Sequence, residues 1–517
     1  MYRLTLTDKG NAGYSIDRPG DFLSPKAIER RQKQGFAVNE TDLPIDPSYF
    51  AQLENLGAKV YTYSKWVSTI VVAVEDEGLL PAIRNLAFVK ETEPVWKGIL
   101  PNRAPASDPQ PEVVSKTASG DKVFSQEDYG FSFVQNSLFN LLPLHQEGYT
   151  GEGIAIAVID GGYYGTNRVP QFDQERIKET RNFTHEQEDL YESSLDHGTR
   201  ALSCMLANSQ GEIIGTAPYA DYYLFKSEVN AGEYPIEEDY WVAAVEYADS
   251  IGIDVVSTSL GYALFDDSSM DHTHAQLDGQ AVPASRAASM LASKGMILCH
   301  SAGNSGNSTW EKILIASDAT DILTVGSVNS SREVSASSGR GYTADNRVKP
   351  DVMAMGSKVY VVNTSGIMTS SGTSFSCPLT AGAVACLWQA LPNLNSLAIM
   401  DIIRRSTDRF ENPNKDYGYG IPDFHQAWEI GKDYVSTPVV KEQNCLRVDF
   451  NHNKIYVSNT CCDRDNAVLS VYTPMGTKVL SYSSAPSTVD FGGLAPGLYV
   501  VLLQWDGNRV AEKFIRR

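Results

Sequence analysis

A serine in a tight turn before an apolar segment is the residue of this sequence best suited to nucleophilic chemistry. Ser374 lies in Gly-Thr-Ser-Phe-Ser-Cys-Pro (372–378), which leads into small and apolar residues from Leu379 to Leu387. This pattern predicts one hydroxyl at the start of a buried helix. A serine hydroxyl is a weak nucleophile at neutral pH, so it needs an adjacent base, a group that orients the base, and donors for the oxyanion.

His197 is the best candidate for the base among the eight histidines. Gly198 and Thr199 follow it, and then a small, apolar run begins, so the ring can project from a helix start into a cleft. The alternative is a capping or packed histidine. His272 and His274 form a His-x-His pair, but no cysteine or carboxylate cluster at ligand spacing accompanies them, so a metal site there is disfavoured.

Two predicted strands end at further polar side chains. Asp160 follows the apolar run 154–159, and Asn304 follows the run 295–302. Such runs are typical of strands buried on both faces of a parallel sheet, and ligand sites lie beyond the carboxyl ends of these strands. We expect Asp160 to orient the base. We expect the Asn304 amide to donate to the oxyanion together with the Ser374 N–H. A simple turn role is the alternative for each.

The four residues follow one another in the order Asp160, His197, Asn304, Ser374. Asp, His, Ser is the order of subtilisin and not that of chymotrypsin or the α/β-hydrolases. The blocks Asp-Gly-Gly, His-Gly-Thr, Ser-Ala-Gly-Asn and Gly-Thr-Ser-x-x-x-Pro resemble those of the subtilisin-like serine proteases, or subtilases, over residues 130–430. The resemblance implies a nucleophile at Ser374, a general base at His197, an orienting acid at Asp160 and an oxyanion donor at Asn304.

Four positions depart from the commonest pattern of that family. They are Gly161, where Ser or Thr usually follows the acid; Ser203, in place of a Gly after the histidine block; Phe375, in place of the Met often found after the nucleophile; and Leu379, in place of a His after the proline. None of them changes the triad of Asp160, His197 and Ser374, so we expect catalytic activity to be kept. We expect changes in helix packing and in the shape of the substrate pocket.

The resemblance also implies a pocket for the residue that precedes the scissile bond. One wall would be the end of a predicted strand at 254–261, and the other the end of the strand before Asn304. Small groups in both walls predict an open, apolar pocket that accepts large hydrophobic residues. The predicted wall residues are Ser259, Leu260, Gly261, Ala302 and Gly303.

Strands alternate with helices between residues 126 and 435, with predicted helices at 239–251, at 282–294 and after Ser374. Such alternation favours parallel βαβ units. We therefore predict an α/β catalytic domain at 126–435 with a doubly wound, mostly parallel, subtilisin-like sheet.

Residues 1–100 predict a small α+β domain, which resembles the N-terminal propeptide of subtilases. The resemblance implies an intramolecular inhibitor, a zymogen, and a processing site in the Pro- and Ser-rich linker at 101–125. A permanent accessory domain is the alternative. The predicted strands are 2–7, 60–63, 69–74 and 88–93, and the predicted helices are 24–34, 47–56 and 77–86.

Residues 440–517 predict a small C-terminal β-sandwich. The segments 471–479, 494–501 and 513–515 resemble the sorting domain of type IX secretion in Bacteroidetes-type bacteria, which implies the secretion machinery as a partner. An adhesive or carbohydrate-binding module is the alternative. The predicted strands are 445–450, 454–458, 467–473, 478–483, 487–491, 497–504 and 509–515.

Composition limits the partners and the compartment of this 517-residue chain. Its net charge of −20 argues against nucleic acid as a partner. The sequence contains no apolar run of about 18 residues, so we expect no membrane span. No signal peptide is visible at the start, although the terminal segments predict a secreted or cell-surface protein. Among the seven cysteines, we expect Cys204, Cys377 and Cys386 to be core residues. We expect one disulfide, with its pairing left open, within the group Cys445, Cys461 and Cys462.

Two functions follow from these features. The favoured one is a secreted serine endopeptidase that acts on protein or peptide substrates and requires no cofactor, with structural calcium as a further expectation from the family. The alternative is a catalytically idle subtilase-fold protein that acts as a surface adhesin. A complete set of Asp160, His197, Asn304 and Ser374 favours the first.

Overall fold

The computed structural model describes residues 1–97, 124–186, 189–192, 194–230, 232–436, 446–449, 454–457, 464–473, 477–495, 497–505 and 508–516. These residues form two compact units, Met1–Lys432 and Asp433–Arg517. The predicted processing linker lies almost entirely outside the described residues, and so do Cys445, Cys461 and Cys462.

The N-terminal region is a four-stranded antiparallel sheet with three helices. The strand order is β2-β3-β1-β4, and Leu4, Leu53, Ile70 and Ile83 are fully buried in its core. The predicted helix at 77–86 is a 3-10 turn followed by a short α-helix. The strands are β1 Tyr2–Leu6, β2 Lys59–Ser64, β3 Thr69–Ala73 and β4 Val89–Pro94, and the helices are α1 Pro25–Gln34, α2 Pro47–Asn55 and α3 Leu80–Arg84.

Helix α1 shows why the local sequence folds as it does. The Ser24 side chain accepts a hydrogen bond from the Ala27 N–H. Pro25 is the first helical residue, a position for which the fixed φ of proline is suited. Gly35 ends the helix in the left-handed region, at φ 75°. These signals place α1 within a residue of its predicted range.

A seven-stranded, fully parallel sheet forms the centre of the first unit. The order is β11-β10-β9-β8-β5-β7-β6, so β6 and β7 lie on one side of β5 and β8 to β11 lie on the other. This confirms the doubly wound α/β prediction. The strands are β5 Ala155–Asp160, β6 Ile177–Asn182, β7 Asp221–Lys226, β8 Val255–Thr258, β9 Ile297–Ser301, β10 Leu323–Val328 and β11 Val352–Met355.

Helices cover the sheet, and one of them is buried on every side. Every residue of α9 from Thr373 to Trp388 is buried, which explains why its sequence shows no amphipathic stripe. An antiparallel hairpin, β12 Val359–Asn363 and β13 Gly366–Ser370, precedes it. The helices are α4 Phe133–Ser137, α5 Leu142–Gln146, α6 His197–Leu206, α7 Ile236–Ile251, α8 Pro283–Met290, α9 Thr373–Ala390, α10 Ser396–Arg405 and α11 Phe424–Ser436.

Strand β8 is shorter than predicted. Its parallel pairing ends where Thr258 lies opposite Ile159 and His300. The strand ends there, so the predicted wall residues Ser259, Leu260 and Gly261 lie in the loop that follows.

The C-terminal unit contains two small antiparallel sheets, which confirms the predicted class of this region. One has three strands in the order β14-β15-β18 and the other four strands in the order β17-β16-β19-β20. Ile455, Val489, Leu469 and Val501 from both sheets share one core. The strands are β14 Leu446–Asp449, β15 Lys454–Val457, β16 Val468–Tyr472, β17 Lys478–Tyr482, β18 Thr488–Asp490, β19 Gly497–Trp505 and β20 Asn508–Arg516.

Within the described part of the chain, no helix has both the length and the apolar character that a membrane crossing requires.

Candidate active site

Asp160 and His197 form a hydrogen-bonded pair at the carboxyl end of the central sheet. Asp160 is the last residue of β5 and is fully buried, and His197 is the first residue of α6. His197 Nδ1 lies 2.7 Å from Asp160 Oδ1. With Nδ1–H directed at the carboxylate, Nε2 is the nitrogen that can accept a proton. The negative charge of Asp160 raises the pKa of His197 above its usual value, and burial opposes this shift.

The loop after β5 and the start of α6 pack against each other without an intervening side chain. A Cβ on Gly198 would lie 2.7 Å from Gly162 O and 2.7 Å from the Tyr163 ring, closer than real contacts allow. The Gly198 N–H donates to Gly162 O at 2.9 Å. This close approach explains why glycine follows the histidine, and it sets the imidazole against Asp160.

Ser374 lies at the start of α9, as predicted, and it is buried with 7% of its surface exposed. Gly372 precedes the helix with φ 144°, a region that favours glycine. The centroids of the Phe375 and His197 rings lie 5.8 Å apart. Because Phe375 directly follows Ser374, this contact brings the nucleophile candidate close to the base candidate. No hydrogen bond between Ser374 Oγ and His197 Nε2 is present among the described residues; such bonds often tighten only when substrate binds.

Asn304 lies in the loop after β9, beside the start of α9. Its Oδ1 accepts hydrogen bonds from the Thr373 N–H at 2.9 Å and from Thr373 Oγ1 at 3.2 Å. These two bonds orient the amide, because the oxygen faces Thr373 and Nδ2 becomes the end that can donate elsewhere. Ser374 is the second residue of α9, and its N–H is one of the first four, which have no partner inside a helix.

The predicted pocket walls lie next to each other and next to Ser374. Ser259 Oγ donates to Ser374 O at 2.9 Å, and Ser301 Oγ donates to Leu260 O at 3.2 Å. The structure therefore brings Ser259, Leu260 and Gly261 together with Ala302 and Gly303, although the sequence separates them by about 40 residues.

The unusual residues around the site have packing roles that the sequence does not reveal. Ser203 Oγ donates to Arg200 O and accepts a hydrogen bond from the Val362 N–H at 2.9 Å, which ties α6 to β12. Arg200 lies over the Phe375 ring at 5.8 Å. Leu379 is fully buried in α9. The hydrogen bond to β12 requires the Ser203 hydroxyl, which the glycine usual at this position lacks. Its partner is distant in the sequence, so the residues around Ser203 could not predict it.

Three carboxylates lie close together near the loop between β7 and α7. Oxygen atoms of Glu228, Glu233 and Glu237 all lie within 4.8 Å of one another. Burial and mutual repulsion raise the pKa values of Glu228 and Glu237. Carboxylate oxygens suit calcium, but Glu237 already accepts hydrogen bonds from the Val229 and Tyr234 N–H groups. Both oxygens of Glu237 therefore have hydrogen-bond donors in this structure.

The other residues considered for metal or thiol chemistry have ordinary partners. His272 Nε2 bonds to Glu238, and His274 Nε2 bonds to Trp310 O at 2.9 Å, so the His-x-His pair faces two different groups. Cys204, Cys377 and Cys386 are free and buried, as predicted, and so is Cys299. Burial raises the pKa values of all four thiols, which disfavours thiolate chemistry.

Two family models match this chain. The model described as the Subtilase family matches residues 151–420, more than half of the 517 residues. The model described as the Peptidase S8 propeptide domain, Bacteroidota, matches residues 1–109. The first range contains all four predicted site residues, and the second contains the N-terminal sheet.

Curated relatives are similar over about half of the chain. The serine protease AprX of Bacillus subtilis (strain 168) is 27% identical over 304 residues, which cover 52% of this chain and 65% of AprX. Subtilisin E of the same organism is 25% identical over 54% of this chain and 66% of its own length. Subtilisin-like protease SBT6.1 of Arabidopsis thaliana is 26% identical over 58% of this chain and 28% of its own. The match thus spans about two thirds or less of each relative.

Among solved structures, MycP1 with its N-terminal propeptide removed is 20% identical, with a TM-score of 0.44 over 57% of this chain and 96% of that one. MycP1 from Mycobacterium smegmatis is 18% identical, with a TM-score of 0.45 over 62% of this chain and 87% of that one. The family assignment rests on the sequence model and on the parallel sheet described above. The chain belongs to the subtilase family.

Proposed function

We propose that this chain is a secreted serine endopeptidase, made as a zymogen, that hydrolyses peptide bonds through Asp160, His197 and Ser374. The observation that carries the proposal is the 2.7 Å contact between His197 Nδ1 and the buried Asp160 carboxylate, beside the helix start that bears Ser374. A buried carboxylate that orients an imidazole next to a serine is the arrangement that activates a hydroxyl nucleophile.

The reaction follows from the roles of these atoms. His197 Nε2 takes the proton of Ser374 Oγ as the oxygen attacks the substrate carbonyl carbon, and Asp160 stabilises the resulting imidazolium. The tetrahedral intermediate collapses when the imidazolium gives that proton to the leaving amine, and the acyl-enzyme remains. A water molecule then loses a proton to His197 and attacks the ester, which releases the acid and restores Ser374. The proposed steps use no cofactor.

The oxyanion of each tetrahedral intermediate needs donors. We propose Asn304 Nδ2 and the Ser374 N–H, because Thr373 fixes the other end of the Asn304 amide. Losing such a side-chain donor lowers kcat by about 10²–10³-fold, a magnitude that comes from subtilisin itself.

The N-terminal region is proposed to act as the intramolecular inhibitor. It lies on α7 through buried ion pairs: Arg3 Nε bonds to Asp239 Oδ1 at 2.7 Å, and Arg30 and Arg31 both bond to Asp249. The Ile236 N–H donates to Val95 O at 3.1 Å. The predicted processing linker lies almost entirely outside the described residues.

Hydrolysis of an unstructured protein substrate tests the enzyme assignment. We expect the processed chain to cleave casein, and Ser374→Ala to abolish cleavage. Ser376→Ala is the matched control, because Ser376 lies one half-turn further along α9 and donates only to Thr373 O. Cleavage that survives Ser374→Ala would contradict the assignment of Ser374 as the nucleophile. Absence of cleavage in the processed wild type would favour the alternative of an idle surface adhesin.

Export and the type IX sorting role of residues 440–517 remain proposals, supported by the sequence resemblance and by the propeptide match. Mass spectrometry of the native culture medium tests them, because it detects the exported protein and fixes both of its ends.

Structural calcium also remains a prediction. We expect EDTA to leave the catalytic step intact, which peptide hydrolysis before and after chelation would measure.

A further inference from the structure

One side chain, Leu314, lies against the glycines of both predicted pocket walls. A Cβ on Gly303 would lie 2.5 Å from Leu314 Cγ, and a Cβ on Gly261 would lie 2.8 Å from Leu314 Cβ. Both distances are shorter than side chains tolerate. Gly303 also has φ +90°, where glycine is favoured. Leu314 therefore fills the space that the two glycines leave open.

The backbone on each side holds Leu314 in this position. The Ile313 N–H donates to Arg340 O at 3.1 Å, and the Ile315 N–H donates to Tyr262 O at 3.0 Å. Ile313 and Ile315 are fully buried, whereas Leu314 is only partly buried. The leucine is thus anchored from both sides and keeps part of its side chain open to solvent, as the end wall of a pocket would.

The same walls are joined to the proposed nucleophile. Ser259 Oγ donates to Ser374 O at 2.9 Å, and the Ser301 hydroxyl binds Leu260 O at 3.2 Å. The Gly303 carbonyl also accepts a hydrogen bond from the Gly339 N–H at 2.8 Å. A side chain that enters between the walls from Ser374 would therefore meet Leu314.

We propose that Leu314 is the specificity-determining residue of this pocket and limits the residue before the scissile bond to small side chains, such as glycine, alanine and serine. This inference rests on the proposed protease function. It reverses the expectation of a pocket for large hydrophobic residues, because a leucine from a distant loop fills the space beside the small residues of both walls. One methylene group more or less in an apolar pocket changes the preference between substrates by about 10–200-fold.

Peptide p-nitroanilides that differ only in their last residue test the proposal. The full chain, allowed to process itself, should hydrolyse the alanine substrate with a kcat/KM at least about tenfold above that of the phenylalanine substrate. Leu314→Ala should raise the ratio of phenylalanine to alanine kcat/KM by about tenfold or more. Leu314→Val, which removes less volume and is the safer variant to fold, should raise the ratio to an intermediate value.

Met368→Ala is the matched control, because Met368 is an exposed apolar residue on β13 and its loss should leave the ratio unchanged. Titration with a fluorophosphonate counts the active sites in every variant, so a misfolded fraction does not alter the ratio. A wild type that prefers phenylalanine, or a ratio unmoved in both Leu314 variants, would overturn the assignment while leaving the protease function intact. A processed wild type without titratable sites would overturn both.

Discussion

At the residue scale, the proposed chemistry depends on one buried carboxylate. Asp160 Oδ1 accepts hydrogen bonds from His197 Nδ1 at 2.7 Å and from the Gly161 N–H at 2.8 Å. Asp160 Oδ2 is buried and has no hydrogen-bond partner among the described residues. One oxygen therefore carries both contacts, and the charge beside the imidazole favours its protonated form.

The raised pKa of His197 sets the direction of the pH dependence. The general base must be neutral, and its pKa is raised above the ordinary histidine value of 6.5, so activity should rise with pH along a limb centred above 6.5. Asp160→Asn removes the charge, so it should move this limb to lower pH and reduce kcat by about 10⁴-fold. A pH profile of kcat/KM measures both effects. A wild-type limb at or below the ordinary histidine pKa would contradict the assigned roles.

The unpartnered Asp160 Oδ2 leads to a stability prediction. Gly161 stands where subtilases usually carry a hydroxyl residue, and a Cβ there would meet its nearest neighbours, Glu228 and Leu195, at an ordinary 3.7 Å. Gly161→Ser should supply a donor to the carboxylate and stabilise the fold by about 1 kcal/mol. Calorimetry in the Ser374→Ala background measures this, with Gly161→Ala as the control that adds the Cβ alone. Equal unfolding midpoints for the two variants would refute the prediction.

At the element scale, helix α7 is the support for the N-terminal region. Asp239, Glu246 and Asp249 lie on one side of α7 and receive groups from that region: Asp239 binds Arg3, Glu246 accepts the Trp66 N–H at 3.0 Å, and Asp249 binds two arginines. All three acids are buried. Buried ion pairs contribute little net stability when complete, but leaving one partner unpaired costs about 3–5 kcal/mol.

Asp249→Ala tests this support, because it leaves the buried guanidinium groups of Arg30 and Arg31 without their shared acceptor. In the full chain carrying Ser374→Ala, we expect trypsin to cleave within residues 1–97 at least about tenfold faster, as local opening becomes easier. Lys26→Ala is the control, since Lys26 pairs with Asp254 at 3.6 Å and is exposed. Equal cleavage of all three proteins would show that α7 does not hold the N-terminal region.

Most elements could be predicted from the sequence because their signals are local. The seven C-terminal strands and helix α1 lie within two residues of their predicted ranges, since turn residues, caps and alternating apolar residues set their ends. Strand β8 ends at Thr258, earlier than predicted, because its length depends on where its pairing with its two neighbours stops. That information lies in residues about 40 to 100 positions away.

Part of the candidate site could likewise be predicted from local motifs, and part depends on contacts between distant residues. Asp160, His197, Asn304 and Ser374 could be proposed from short motifs at the ends of predicted elements. Leu314, by contrast, could not be predicted, because nothing in its own neighbourhood indicates that it contacts Gly261 and Gly303. The arginine–aspartate pairs on α7 join residues more than 200 positions apart, so they too were invisible in the sequence.

At the scale of the whole molecule, the described residues form two compact units, and each has a hydrophobic core of its own. All the proposed catalytic residues belong to the first unit, Met1–Lys432. Chemistry and the proposed sorting role are therefore assigned to different parts of the chain, and each can be tested without the other.

Truncation after residue 436 tests this separation. The shortened chain keeps α11 and the entire first unit, so its kcat/KM on a peptide substrate should stay within about twofold of the full chain, a change below about 0.5 kcal/mol. Export from the native host should be lost in the same variant. A collapse of peptide hydrolysis by the soluble truncated protein would show that the C-terminal unit takes part in catalysis.

The central claim is that Ser374 is a nucleophile activated by His197. Peptide mapping by mass spectrometry after fluorophosphonate treatment tests it most directly, because the reagent leaves a stable adduct on the attacking oxygen. We predict an adduct on Ser374 in the processed chain, its loss in Ser374→Ala, and labelling at least about 10³-fold slower in His197→Ala. An adduct on another residue, or undiminished labelling of the His197 variant, would contradict the account.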